Sequence, residues 1–137
     1  MVGREKYFSL PDEVFYLNLG SAAIAVYAFL LYRENRKTYQ CTLSYKAIGY
    51  AIGASNNTVR KYVLELEAAG LIATNRTVVV GADGMERNGC LRYTILPVQN
   101  AVELRDRQRL AALDAAVERQ RVKERLAASA RKGGPVA

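Results

Sequence analysis

The stretch "SNNTVRKYVLELEAAGLI", residues 55–72, begins with polar side chains and ends with apolar ones. At about 100° per residue, one face of a helix would collect three apolar residues: Val59, Val63 and Leu66. Two polar residues would occupy the opposite face: Asn57 and Lys61. Ser55 comes just before and has the side chain of an N-cap. The pattern predicts a helix whose back packs on a core and whose polar N-terminal half is exposed.

That polar half carries two amides and two cations: Asn56, Asn57, Arg60 and Lys61. An Asn side chain can make two hydrogen bonds to adenine, and Arg or Lys can bind guanine in the major groove. Free backbone N–H groups at a helix start also favour a phosphate. We therefore expect this end to contact double-stranded DNA; the alternative is a merely solvated helix face.

The preceding stretch predicts a shorter helix, capped by Ser44 and closed by Gly53. Three of its residues share an inner face: Tyr45, Ile48 and Ile52. With the tight turn at residues 53–54, the two helices have the pattern of a helix-turn-helix, whose first helix crosses the DNA backbone. Lys46 and Tyr50 lie on the outer side of that first helix, and we expect them near phosphates.

After residue 71 the period changes to that of strands. "LIATNRTVVV" and "RNGCLRYTIL" flank the glycine-containing turn "GADGM", which predicts a β-hairpin. Such a hairpin would be the wing of a winged helix. Its Asn75, Arg76 and Arg87 would be available to the DNA backbone or minor groove. Upstream, "YQCTL" predicts a short strand. The apolar run Ala22–Tyr32 predicts a helix buried on two sides, far shorter than the roughly 20 residues of a membrane span.

Residues 100–130 predict one long helix rich in Ala, Arg, Glu and Leu. Asn100 and Glu103 have the spacing of a capping box. From residue 100 to residue 132 there are nine basic and five acidic residues. Such a helix is marginal alone and should dock on a partner. The predicted dimer contacts are Leu110, Leu113 and Val117, which would pack on the partner's long helix or on its N-terminal helices. The apolar run Ala22–Tyr32 is a second surface for a dimer, and a different protein partner of the long helix is an alternative. The predicted domains are residues 1–97, the long helix 98–132 and a flexible tail 133–137.

The composition favours binding over catalysis. The 137 residues have a net charge of +7 and a pI of about 9.6, which suits a polyanionic partner. Histidine is absent, and the two cysteines, Cys41 and Cys90, lack metal-site spacing. We expect no metal, no cofactor and no enzymatic activity, and a cytoplasmic location without membrane contact.

The segment "AIGYAIGASNNTVRKYVLELEAAGLI", residues 47–72, resembles the winged helix-turn-helix of bacterial GntR-type regulators. It also resembles the helix-turn-helix domains of plasmid and phage replication initiators, and the upstream sequence is more like that second group. The resemblance spans about residues 7 to 96. It implies DNA contacts at Asn56, Asn57, Thr58, Arg60 and Lys61. Gly49 departs from the Ala that is usual there, a change expected to loosen the first helix. No effector domain follows the wing, which argues against a ligand-gated GntR regulator.

The sequence thus predicts a mainly α fold with a small β-hairpin wing: a winged helix-turn-helix plus a long C-terminal helix. The predicted function is sequence-specific binding of double-stranded DNA by a homodimer that regulates transcription. In one version of this prediction, the regulated genes belong to a mobile element. The first alternative is a replication initiator or replisome organiser. The second is a winged helix that binds proteins and not DNA.

Overall fold

The computed structural model describes residues 6–132, with side chains as far as residue 130. The chain forms two compact units, with the boundary between Glu103 and Leu104. The elements follow in chain order: a short 3₁₀ helix Asp12–Phe15, α1 Ser21–Arg33, β1 Gln40–Leu43, α2 Tyr45–Ile52, α3 Asn56–Ala68, β2 Ile72–Val80, β3 Glu86–Ile95 and α4 Val98–Lys132. This is the predicted mainly α fold with a hairpin wing and a long C-terminal helix. The predicted flexible tail at 133–137 lies outside the described residues.

The core of the first unit forms where α1, α2 and α3 pack on one another and on the sheet. The apolar run of α1 has the predicted burial on more than one side, since only Ser21, Tyr32 and Arg33 of that helix are exposed. Burial of apolar surface is the main favourable term in folding, so α1 holds the other two helices in place.

The sheet has the strand order β1-β3-β2, and both pairings are antiparallel. Within the sheet, the predicted short strand β1 pairs with the inner part of β3, from Leu91 to Thr94. The hairpin continues outward as a two-stranded ribbon, with a register shift in β2 between Arg76 and Val78. The wing therefore has a root in the core and an outer half with apolar side chains exposed: Val78, Val79, Val80 and Met85.

Gly49 is buried in α2 and faces the turn that leads to α3. A methyl group at this position would overlap the carbonyl oxygen of Ala54. The Gly49 carbonyl accepts hydrogen bonds from the Gly53 and Ala54 amides, the latter at 2.9 Å. Gly49 thus permits a close approach of turn and helix that a larger residue would obstruct, and the expectation that it loosens the helix stays a prediction.

The start of α4 differs from the prediction by two residues. Asn100 lies inside the first turn, where its amide donates to the Pro97 carbonyl at 3.0 Å, so the predicted capping box with Glu103 is wrong. Ala101 is buried and Val102 packs on the core. The first turns of α4 are therefore part of the winged-helix unit.

Within the part of the chain that the structure describes, no helix is both long and apolar enough to cross a membrane.

Candidate nucleic-acid interface

The N-terminus of α3 is held by the side chain of Ser55. The Ser55 Oγ accepts a hydrogen bond from the Thr58 amide at 3.3 Å and lies 2.9 Å from the Thr58 hydroxyl. A cap of this kind satisfies one of the amides that a helix start leaves unpaired. Gly53 ends α2 in the left-handed conformation, with a φ of 74°, which turns the chain into α3. These local interactions set where the exposed end of α3 begins.

The back of α3 is anchored as the sequence predicted. Val59, Val63 and Leu66 are buried, and they pack in the same core cluster as α1 and α2. The front carries Asn56, Asn57, Arg60 and Lys61, all of which are exposed. Since the helix is held by its back, the polar front has a defined orientation and is free for a ligand.

Three of the predicted DNA contacts share one shallow depression on this front: Asn57, Arg60 and Lys61, with Leu64 beside them. Lys61 Nζ lies 5.5 Å from the centroid of the Tyr62 ring, within the range of a cation–π contact. An amide and two cations gathered on one helix face can hydrogen-bond base edges and phosphates together. Thr58 is half-buried and its hydroxyl faces Ser55, so these two residues shape the helix start.

A second depression lies on the outer face of α2, where Lys46 and Tyr50 meet the end of α1. Tyr50 is 93% exposed, so it has no packing role in the free chain. Arg33 lines the same depression, together with Phe29 from α1. Two cations and a phenol on one surface suit a phosphate oxygen. Arg33 was missed in the sequence because only tertiary packing brings the end of α1 beside Lys46.

The two wing arginines are both exposed but differ in their surroundings. Arg87 forms an ion pair with Asp83 at the turn, with 3.2 Å between the guanidinium nitrogen and Oδ2. Arg76 lies on β2 near the register shift. Asp83 partly neutralises Arg87, so Arg76 is the better placed of the two for an anionic partner.

In the second unit, the three predicted dimer contacts lie on one face of the helix. Leu110, Leu113 and Val117 are 60%, 62% and 50% exposed. Each apolar side chain therefore has a surface on which a partner could pack.

The two cysteines differ in burial, and Cys41 is the one that packs against the core. Cys41 is half-buried in β1, and this burial, with Glu34 nearby, raises the pKa of its thiol to about 11. The thiol is the protonated, unreactive form at neutral pH. Cys90 is exposed on β3.

Residues 17–72 match the family model of a helix-turn-helix domain. The match covers α1, β1, α2 and α3, and it ends where the wing begins. It confirms the resemblance to helix-turn-helix DNA-binding proteins and agrees with the prediction that the chain is not an enzyme. No protein of curated function matches the sequence significantly.

Several solved structures are similar to the chain at low sequence identity. The N-terminal domain of a DNA binding protein is 16% identical over 77% of this chain and 87% of that one, with a TM-score of 0.50. A possible transcriptional regulator from Methanosarcina mazei Go1 is 20% identical over 79% and 80%, with a TM-score of 0.44. A MarR-family transcriptional regulator from Silicibacter pomeroyi is 18% identical over 90% and 79%, with a TM-score of 0.40. At these identities the similarity is one of fold.

The domain match at residues 17–72, the packed α2–α3 pair and the β2–β3 hairpin lead to one identification. The chain has a winged helix-turn-helix fold, and its residues 17–72 are similar to helix-turn-helix domains.

Proposed function

We propose that the chain binds specific sequences of double-stranded DNA through α3 and regulates transcription. One observation carries this proposal: the exposed depression formed by Asn57, Arg60 and Lys61 on a helix whose opposite face is buried. The helix has the polar groups that read base edges, and its scaffold prevents them from turning inward. Such a DNA partner would place the protein in the cytoplasm, and a target on a mobile element is one version of this proposal.

The remaining candidate residues would bind the phosphate backbone of the DNA and would not distinguish between sequences. Lys46, Tyr50 and Arg33 share a surface beside α3, and Arg76 extends the set to the wing. Phosphate contacts fix the register of a protein on DNA, whereas base contacts select the sequence. We assign these four residues to the backbone and the depression on α3 to the bases.

The decisive experiment selects binding sites from a randomised duplex pool. Asn57→Ala should relax the preference at one or two base pairs, because a lost bidentate contact costs about 1–3 kcal/mol of discrimination. Lys46→Ala should lower the affinity for all DNA sequences alike. Lys123→Ala, in the second unit, is the matched control for loss of one charge. If Asn57→Ala selects the same preferred site as the parent, α3 does not read the base sequence through Asn57.

We also propose that two copies associate through the exposed face of residues 104–132. Leu110, Leu113 and Val117 follow helical spacing and are each at least half exposed. A pair of such faces would bury this apolar area, and a dimer would read two half-sites.

The test of the dimer uses two leucines on opposite sides of the same helix. Leu113→Lys should give a monomer by light scattering, whereas Leu126→Lys should leave the dimer intact. A truncation after Glu103 keeps the buried Ala101 and should also be monomeric. A truncated chain that remains dimeric would move the interface into the first unit.

A further inference from the structure

A cavity of about 380 Å³ opens beside the start of α4, within the first unit. Its walls come from four separate parts of the chain: the residue before the 3₁₀ helix, α1 with the residue that follows it, the loop before β1, and the connection from β3 to α4. Most of the lining is apolar: Pro11, Leu31, Ile95, Leu96, Pro97 and Val98. This volume lies within the range of small-molecule sites, which bury an apolar ligand body and orient it by a few polar groups.

The polar groups of this cavity are one carboxylate and two phenols: Glu34, Tyr27 and Tyr39. Glu34 directly follows α1, and its Oε2 atom is buried with no hydrogen-bond partner among the described residues. Burial of a charged oxygen costs free energy unless a partner compensates for it. Burial accordingly raises the pKa of Glu34, while Arg36 nearby lowers it.

No cation lines the cavity among the residues that the structure describes. Arg36 lines a smaller neighbouring cavity that also contacts Glu34, Leu31 and Tyr39. Two tyrosines, Tyr27 and Tyr39, line the same cavity as Glu34, and aromatic rings attract cations. The site thus offers a negative charge, two rings and apolar walls.

We propose that this cavity binds a small organic cation, an arylalkyl or alkyl amine, with its ammonium group on Glu34 and its apolar body between α1 and the β3–α4 connection. The apolar body would lie against Leu31, Ile95 and Val98. The ammonium would donate to Oε2, the atom without a partner. None of these residues belongs to the proposed DNA surface, so the cavity is a separate site.

Calorimetry on the full-length chain without DNA tests the proposal with three probes of one aromatic shape. Tyramine carries an ammonium, 4-ethylphenol is neutral and 4-hydroxyphenylacetate is an anion. Tyramine should bind most tightly, 4-ethylphenol more weakly and the anion least. Amide shifts in NMR spectra should identify the site in the unmodified protein, with the largest changes near residues 27, 31 and 95–98.

Glu34→Gln separates the charge from the shape of the cavity. It should weaken tyramine binding by about tenfold or more, because a hydrogen bond to a charged group is lost, and change 4-ethylphenol binding by less than about twofold. Glu86→Gln on the wing is the matched control, since it removes the same charge outside the cavity.

Three results would each overturn the proposal: equal tyramine affinity for Glu34→Gln and the parent, amide shifts at other residues, or no saturable tyramine binding. The last result would mean that Arg36 or another group of the chain occupies the carboxylate. DNA binding enters none of these measurements, so their failure is distinct from failure of the proposed function.

Discussion

Helix α3 and residues 104–132 of α4 both carry basic and apolar residues, yet their apolar residues differ in burial. The apolar residues Val59, Val63 and Leu66 of α3 are buried in the core. The corresponding residues of the second unit, Leu110, Leu113 and Val117, are exposed. In α3 a single buried stripe leaves the polar face to a ligand. In the second unit the apolar face itself is the surface available for binding.

Hydrophobic patterning therefore has two meanings in this chain. A stripe that packs within its own unit determines the fold, whereas a stripe that stays exposed indicates an interface. The difference should be measurable as the free energy of unfolding that each stripe contributes.

The largest expected effect comes from shortening a leucine in each region. Leu66→Ala should lower the free energy of unfolding by about 2–5 kcal/mol, because it leaves a cavity in a packed core. Leu113→Ala should change it by about 0.5 kcal/mol or less at protein concentrations where the chain is monomeric. Urea denaturation measures both. Equal losses at low concentration would show that Leu113 packs within its own chain and would end the distinction.

The next effect concerns the turn that positions α3. Gly49→Ala should destabilise the protein by about 1–3 kcal/mol, because the added methyl group would overlap the Ala54 carbonyl. Helix propensity alone predicts the opposite sign, since Ala is favoured over Gly by about 1 kcal/mol in a helix interior. Gly20→Ala is the matched control, because nothing lies within 4 Å of the added carbon. A stabilised Gly49→Ala variant would show that α2 and the turn can move apart.

The third effect compares a charge from each of the two units, Arg33 in the first and Arg119 in the second. Arg33→Ala should reduce DNA affinity for all sequences alike and lower the salt slope by about 0.9 for one lost phosphate contact. Arg119→Ala, in the second unit, should leave the slope unchanged. Filter binding over a range of salt concentrations measures this. A larger change for Arg119 would place the DNA backbone against the second unit.

The features that the sequence predicted correctly are local ones. Ser44 and Ser55 cap helices, Gly53 adopts a positive φ, and the α3 stripe follows from helical spacing. The wing follows from strand alternation around a glycine-containing turn.

The features that the sequence did not predict depend on contacts between distant segments. β1 joins the sheet through residues of β3 that lie 48 or more positions further along the chain, as in the pair Leu43 and Leu91. Arg33 reaches the surface of Lys46 only through packing of α1 on α2. The cavity at Glu34 needs four separate segments. Glycine has a low helix propensity, so the sequence alone makes Gly49 look unfavourable in α2. The need for a glycine at this position becomes visible only in the structure, where the Ala54 carbonyl lies beside it.

The smallest effect compares one carboxylate from each unit, Glu34 in the first and Glu118 in the second. Burial raises the pKa of Glu34 above its ordinary value of 4.5, with a smaller opposite contribution from Arg36. Since the folded state binds this proton more tightly than the unfolded state does, the contribution of Glu34 to stability is largest when the carboxyl is protonated. That contribution is lost as the pH rises from the unfolded pKa through the folded pKa. Glu34→Gln should therefore be slightly more stable than the parent at neutral pH, and the difference should vanish at a pH below the pKa of the unfolded state.

Glu118→Gln is the matched control, because the ion pair of Glu118 with Arg125 is exposed, 3.7 Å long and contributes little to stability. Thermal unfolding between acidic and neutral pH measures both variants. If Glu34→Gln is destabilised at neutral pH, the ionised carboxylate has a partner in the folded chain, and the cavity would then lack the unpaired charge on which cation binding depends.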